Sequence, residues 1–167
     1  MVGKKTPDDI VTASRIPALL GLSPYMTPNE LLKEAIDAAN GIPPSKLSQT
    51  EQMRLGDLLE GPILREAAYR LDLDDLVTDI DEAIHHPHLP LACSLDGRGR
   101  GGIVFEHDPA NGIYVPQGGV VDTGGVGMLE AKNTIAVPED TPAPHRGPLQ
   151  LQAQMMCTDA AWGAVCV

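Results

Sequence analysis

The chain has 167 residues, 43% of them hydrophobic, and a formal net charge of −11. That length suits one domain spanning 1–167, with a core large enough to need no disulfide or metal staple. The acidity excludes a general nucleic-acid coat, whose affinity comes from neutralising phosphates with lysine and arginine, but not an enzyme with a local acidic site and a small basic rim.

Cys93, Cys157 and Cys166 are odd in number and show neither zinc-site spacing nor a disulfide framework. A reducing cytoplasm is the simplest setting for them. The start "MVGKKTPDDI" has charge but no apolar segment behind it, and no run approaches bilayer length. The expectation is a soluble chain with no export signal and no membrane partner.

Thr12 to Leu20 reads as a short helix stopped by Gly21. "TPNE" at 27–30 is a capping box: Thr27 as N-cap, Pro28 at the first helical position and Glu30 reaching back, with Gly41 as the left-handed stop. A second box, Ser48 to Glu51, opens the next helix. There Leu55, Leu59, Ile63, Ala67 and Leu71 form a four-residue stripe that predicts burial. Pro62 lacks a backbone donor and predicts a kink near Glu60 and Gly61. A carboxylate at a kink can lean into a site, although an exposed glutamate is the simpler reading of Glu60.

Beyond Val77, short apolar runs give way to a glycine-rich stretch with alternating Val, Ile, Phe and Tyr, and "DPANG" and "DTGG" read as turns. Antiparallel strands are expected near 91–96, 103–107, 113–116, 119–122 and 127–132. "RGPLQLQAQMMCTDA" then reads as a helix and "AWGAVCV" as a closing strand, with Trp162, Met155 and Met156 as core.

In "GMLEAKNT", alternation puts Glu130 and Lys132 on one face and Leu129 and Ala131 on the other. As a surface ion pair this is worth about 0–1 kcal/mol. Upstream, "LACSLDGRG" ends a strand at Asp96 beside a glycine-marked turn. Asp96 is either a turn-forming aspartate or, if its strand pairs near 127–132, the partner of Glu130. Two converging carboxylates repel unless a hard cation such as Mg²⁺ or Mn²⁺ lies between them. Arg98, Arg100, Lys132 and Arg146 are available to line one cleft.

"SLDG", a spacer and "LEAK" together resemble the bipartite motif of the PD-(D/E)XK nucleases, which have the restriction-endonuclease-like fold. Further stretches, in the right order, resemble the lambda exonuclease or YqaJ-like viral recombinase group: "VTASRIPALLGLSPYMTP", "MRLGDLLEGPI", "HPHLPLACSLDG" and "PLQLQAQMMCT". The resemblance implies an α/β fold, with a central mixed β-sheet flanked by α-helices. It implies Asp96, Glu130 and the Ala131 carbonyl as ligands of Mg²⁺ (or Mn²⁺), with Glu60 as an outer carboxylate. Lys132 would hold the attacking water, Gln150 with Gln154 would orient that water or the phosphate, and Ser14, beside Arg15, would grip a 5′-terminal phosphate. Lys4 and Lys5 are imperfect candidates for the basic residue that the family places ahead of the Ser14 position. Leu95 stands where the family usually has proline, and the spacer is long, which reads as a surface elaboration.

His85, His86 and His88 fit no zinc signature and read as polar residues of a strand entry, although related nucleases sometimes use a histidine as a metal ligand. The implied activity is a Mg²⁺-dependent exonuclease acting 5′-to-3′ on linear double-stranded DNA in phage-type recombination, in the cytoplasm of a bacterial or phage-infected cell. The implied assembly is a ring-shaped homotrimer that hands single strands to an annealing protein. The alternatives are an endonuclease or single-strand nuclease of the same fold, or a non-catalytic DNA-binding or assembly module.

Overall fold

The computed structural model describes residues 10–42, 50–134 and 142–167. The expected cap at Ser48 and the basic candidates Lys4 and Lys5 lie outside the described residues.

The N-terminal segment is more broken than its pattern suggests. A two-residue strand, β1 (Val11–Thr12), runs into a 3₁₀ turn at Ala13–Arg15 and a single α-turn, α1 (Ile16–Leu19). Pro17, at the start of that α-turn, fits only because the first helical N–H groups need no partner. Helix α2 (Pro28–Ala39) opens with the expected box: the Thr27 hydroxyl accepts from the Glu30 N–H at 3.3 Å, and the Glu30 carboxylate accepts from the Thr27 N–H at 2.7 Å.

Helix α3 (Glu51–Arg70) is capped by Thr50, whose hydroxyl accepts from the Met53 N–H. Pro62 does not break it. Leu58 and Pro62 are both exposed, so water can take the Leu58 carbonyl that proline leaves unserved. The expected stripe holds in its second half and fails in its first: Ile63, Ala67 and Leu71 are partly buried against the core around Leu64, whereas Leu55 and Leu59 stand 38% and 39% exposed. Apolar residues lie on more than one side of α3, and those packed against the core, from Ile63 to Leu71, belong to its second half and C-terminal end.

The main sheet orders its strands β2 (Asp74–Thr78), β5 (Gly97–Gly101), β8 (Gly125–Ala131) and β9 (Gly163–Cys166). The first two pairings are antiparallel and β8–β9 is parallel, so the sheet is mixed. A smaller sheet, β1–β4–β3, joins β4 (Leu91–Cys93) and β3 (Ile84–His85) to β1. The spacer forms its own hairpin, β6 (Val104–Glu106) with β7 (Val120–Asp122). The strand expected at 113–116 reduces to one bridge, Asp108 with Ile113.

Helices flank the main sheet on both faces. On one side α3 places Leu64 among Leu129, Trp162 and Cys166. On the other, α4 (Pro148–Thr158) and the small sheet surround Met128 with Leu91, Cys93, Leu95, Leu151 and Cys157. Trp162 is core as expected, whereas Met156 is 53% exposed.

The glycines of β5 suggest a turn, yet they stand in a regular strand beneath closely packed side chains. A Cβ on Gly97 would lie 3.2 Å from a Leu64 methyl, and one on Gly99 would lie 3.0 Å from Leu73. The glycines therefore face α3, and Arg98 and Arg100 face away from it. Gly147, at the head of α4, has φ +118° and abuts Val165, so that turn also requires glycine.

Candidate active site

Asp96 and Glu130 meet at the end of the β5–β8 pair. Gly97 is paired with Leu129, and one step beyond, Asp96 Oδ2 accepts the Ala131 main-chain N–H at 2.9 Å. Pleating then decides what β8 presents. Leu129 goes into the α3-side core, while Met128 and Glu130 face α4. Arg98 is paired with Met128 and Arg100 with Val126, so both arginines share the face of Glu130 and are exposed there.

Glu130 is 1% exposed, and both its oxygens are engaged. Oε1 lies 2.5 Å from Lys132 Nζ, and Oε2 accepts from Gln154 Nε2 at 2.6 Å. Lys132, a third exposed, also donates to Gln150 Oε1 at 3.1 Å. Its main-chain N–H donates to the Cys166 carbonyl at 2.7 Å, which extends the parallel ladder one residue beyond β8. Burial pushes the Glu130 carboxyl up to about 7, and the charge of Asp96 adds to the rise; Lys132 and the Gln154 amide pull the other way.

The structure therefore brings together Asp96, Glu130, Lys132 and Gln150. Gln154 joins them in a different position from the one expected: it is fully buried behind Glu130, with no surface to offer DNA or a phosphate. Ser14 lies close by. With Thr12, Ala13, Ser94 and Gln150 it lines a cavity of about 10 Å³, the volume of one water. Thr12 and Ser94 carry no site role in the sequence reading. Ser94 sits two residues before Asp96 on an apolar strand end, and that position is its only signal.

Of the other candidates, Glu60 is half-buried on α3, one turn before Leu64. The Arg15 guanidinium is bound to Glu34 at 2.9 Å, so it is already engaged with α2. Arg146 is exposed in the turn before α4. His86 Nδ1 accepts the main-chain N–H groups of His88 and Leu89, each at 3.1 Å, so this histidine shapes a loop. Among the described residues, no three His, Cys, Asp or Glu side chains gather to hold a metal.

A divalent cation nevertheless fits the donors present. Two carboxylates are brought near each other, one of them fully buried and raised to about 7 in part by the other's charge. A hard cation relieves that repulsion, and carboxylate and carbonyl oxygens are the ligands Mg²⁺ and Mn²⁺ prefer. Such a site would draw on two side chains and main-chain oxygen.

A family model for the YqaJ-like viral recombinase domain matches residues 5–161. Among solved structures, the crystal structure of LHK-Exo in complex with dAMP aligns with a TM-score of 0.59 at 19% identity, covering 94% of this chain and 68% of that one. The chain thus shares the fold of LHK-Exo. Comparison with curated proteins found no match.

Proposed function

This chain belongs to the family of YqaJ-like viral recombinase domains, and on that premise we propose that it is a Mg²⁺-dependent exonuclease degrading linear duplex DNA from its 5′ ends in phage-type recombination. The family and the fold support a nuclease role. The observation that carries the finer reading is the Glu130 carboxylate, raised by burial and by the charge of Asp96 and flanked by Lys132, Gln150 and Gln154. A purely structural strand has no need to bury a carboxylate beside a second one.

Asp96, Glu130 and the Ala131 carbonyl would hold the metal. When bound, Mg²⁺ (or Mn²⁺) polarises a phosphoryl oxygen and lowers the pKa of water. Lys132 holds the attacking water by hydrogen bonding and offsets the negative charge that develops on the phosphate. Gln150 fixes the Lys132 ammonium through its 3.1 Å hydrogen bond. Ser14, with Thr12 and Ser94, offers hydroxyls to a terminal phosphate oxygen. Arg98 and Arg100 run along the same sheet face as Glu130 and suit the DNA backbone, while Arg146 adds charge ahead of α4. Glu60 keeps its proposed role only as an outer, water-mediated carboxylate.

LHK-Exo was solved with dAMP, and a deoxynucleoside monophosphate is the product that one cleavage at a DNA terminus releases. A ring-shaped homotrimer, a single-strand annealing partner and a cytoplasmic site of action in a bacterial or phage-infected cell belong to the same reading. Among the described residues, no helix is long and apolar enough to cross a membrane.

The test compares linear duplex with covalently closed circular duplex, each with Mg²⁺ and with EDTA. Mononucleotides released from linear DNA alone, and only with Mg²⁺, support the proposal. Linearisation of the closed circle would make the chain an endonuclease instead.

A further inference from the structure

The Gln154 side chain is fully buried on α4, and its amide nitrogen donates twice: to Glu130 Oε2 at 2.6 Å and to the Ser94 carbonyl at 3.1 Å. A carboxylate and a carbonyl can only accept, so these two partners fix which end of the amide faces them. The other end is left stranded: Gln154 Oε1 is buried with no hydrogen-bond partner among the described residues. An unserved buried acceptor is costly, and methionine at this position would avoid that cost. Stability of the helix therefore does not account for glutamine here. The donor it offers to Glu130 does.

The spacing is equally specific. Gln150 grips Lys132 and Gln154 grips Glu130, four residues apart on α4 and two apart along the β8 strand line. Four helical residues rise about 6 Å and two strand residues about 6.6 Å, so the helix presents one amide to each reactive side chain. The Ser94 carbonyl lies two residues before Asp96, so the same amide also ties the Asp96 turn to the Glu130 strand.

We propose that Gln154 is a positioning residue. It fixes the Glu130 carboxylate and its distance from the Asp96 turn, so that both acids face one divalent cation; this role rests on the reading of Asp96 and Glu130 as metal ligands. It acts through Glu130 and touches neither metal nor DNA.

The test measures Mn²⁺ binding to the full chain by calorimetry or electron paramagnetic resonance, together with the Mg²⁺ concentration that gives half-maximal DNA degradation. Gln154→Met keeps the volume and removes the donor; Gln154→Glu keeps the shape and puts an acceptor where the donor stood. Both are expected to weaken Mn²⁺ binding by about tenfold or more, as when a group supporting a metal ligand is removed, with the Glu variant worse. The half-maximal Mg²⁺ concentration rises in step, and saturating Mg²⁺ recovers most of the rate of Gln154→Met. Wild-type Mn²⁺ affinity in both variants, or a rate loss in both that no Mg²⁺ concentration repairs, overturns this role alone. A wild-type chain that binds no Mn²⁺ overturns the reading of the site, and this role with it.

Discussion

Asp96 accepts the main-chain N–H of Ala131 at 2.9 Å, across 35 positions of sequence. The same carboxylate thus serves as a structural clamp on β8 and as half of the acidic pair, and substitution can separate the two duties. Asp96→Asn keeps an oxygen to accept from Ala131 but loses the charge. Its thermal midpoint is expected to stay within a few degrees of wild type, while DNA degradation falls by at least about a hundredfold, the order seen when one preorganised group at a reacting centre is removed. Calorimetry and a nuclease assay on the same preparation read both.

Glu130 predicts how the metal-free chain responds to pH. Its carboxyl is raised from the ordinary value of 4.5 to about 7, so between those values the folded chain holds a proton that the unfolded chain has released. The stability contributed by that proton is complete below about 4.5 and lost as pH rises through about 7. Because Mg²⁺ competes with the same proton, its affinity should fall as pH drops below about 7. Chemical denaturation from about pH 5 to about pH 8, with and without Mg²⁺, measures both; a metal-free stability that rises across this range would contradict the assignment.

Gly127 tests the packing behind the site. A Cβ there would overlap the Trp162 ring, which occupies the space over the strand. Gly127→Ala forces that ring to move, at an expected cost of about 1–3 kcal/mol. A urea titration reads the loss as a lower midpoint.

Arg98 and Arg100 test the DNA path. Exposed beside the Glu130 face, they can be replaced without disturbing the core. The double variant Arg98→Ala, Arg100→Ala is expected to weaken DNA binding similarly across sequences and to make it less salt-dependent, the slope falling by about 1 for each phosphate no longer neutralised. Fluorescence anisotropy over a range of salt concentrations checks this, with the thermal midpoint unchanged.

Much of the scaffold is legible in the sequence because it rests on local chemistry. The Thr27–Glu30 box, the α4 helix and the closing strand follow from caps and periodicity, and the E-x-K spacing places Glu130 and Lys132 on one face. The failures are tertiary. The glycines of β5 look like turn residues because nothing local announces that Leu64 and Leu73 lie over them. The α3 stripe is legible in part: Ile63, Ala67 and Leu71 pack against the core, but periodicity does not tell that Leu55 and Leu59 stay exposed or that Leu64 is the most deeply buried. Gln150 and Gln154 look equivalent in sequence, and packing alone buries one behind Glu130 and leaves the other with Lys132.

In the proposed mechanism Lys132 serves chemistry at the metal site and not merely the charge balance of Glu130. Its most direct test is degradation of 5′-phosphorylated linear duplex DNA in saturating Mg²⁺ by wild type and by Lys132→Ala. A fall of at least about a hundredfold in a variant that still folds and binds Mn²⁺ is the predicted result; cleavage at the wild-type rate would contradict the account.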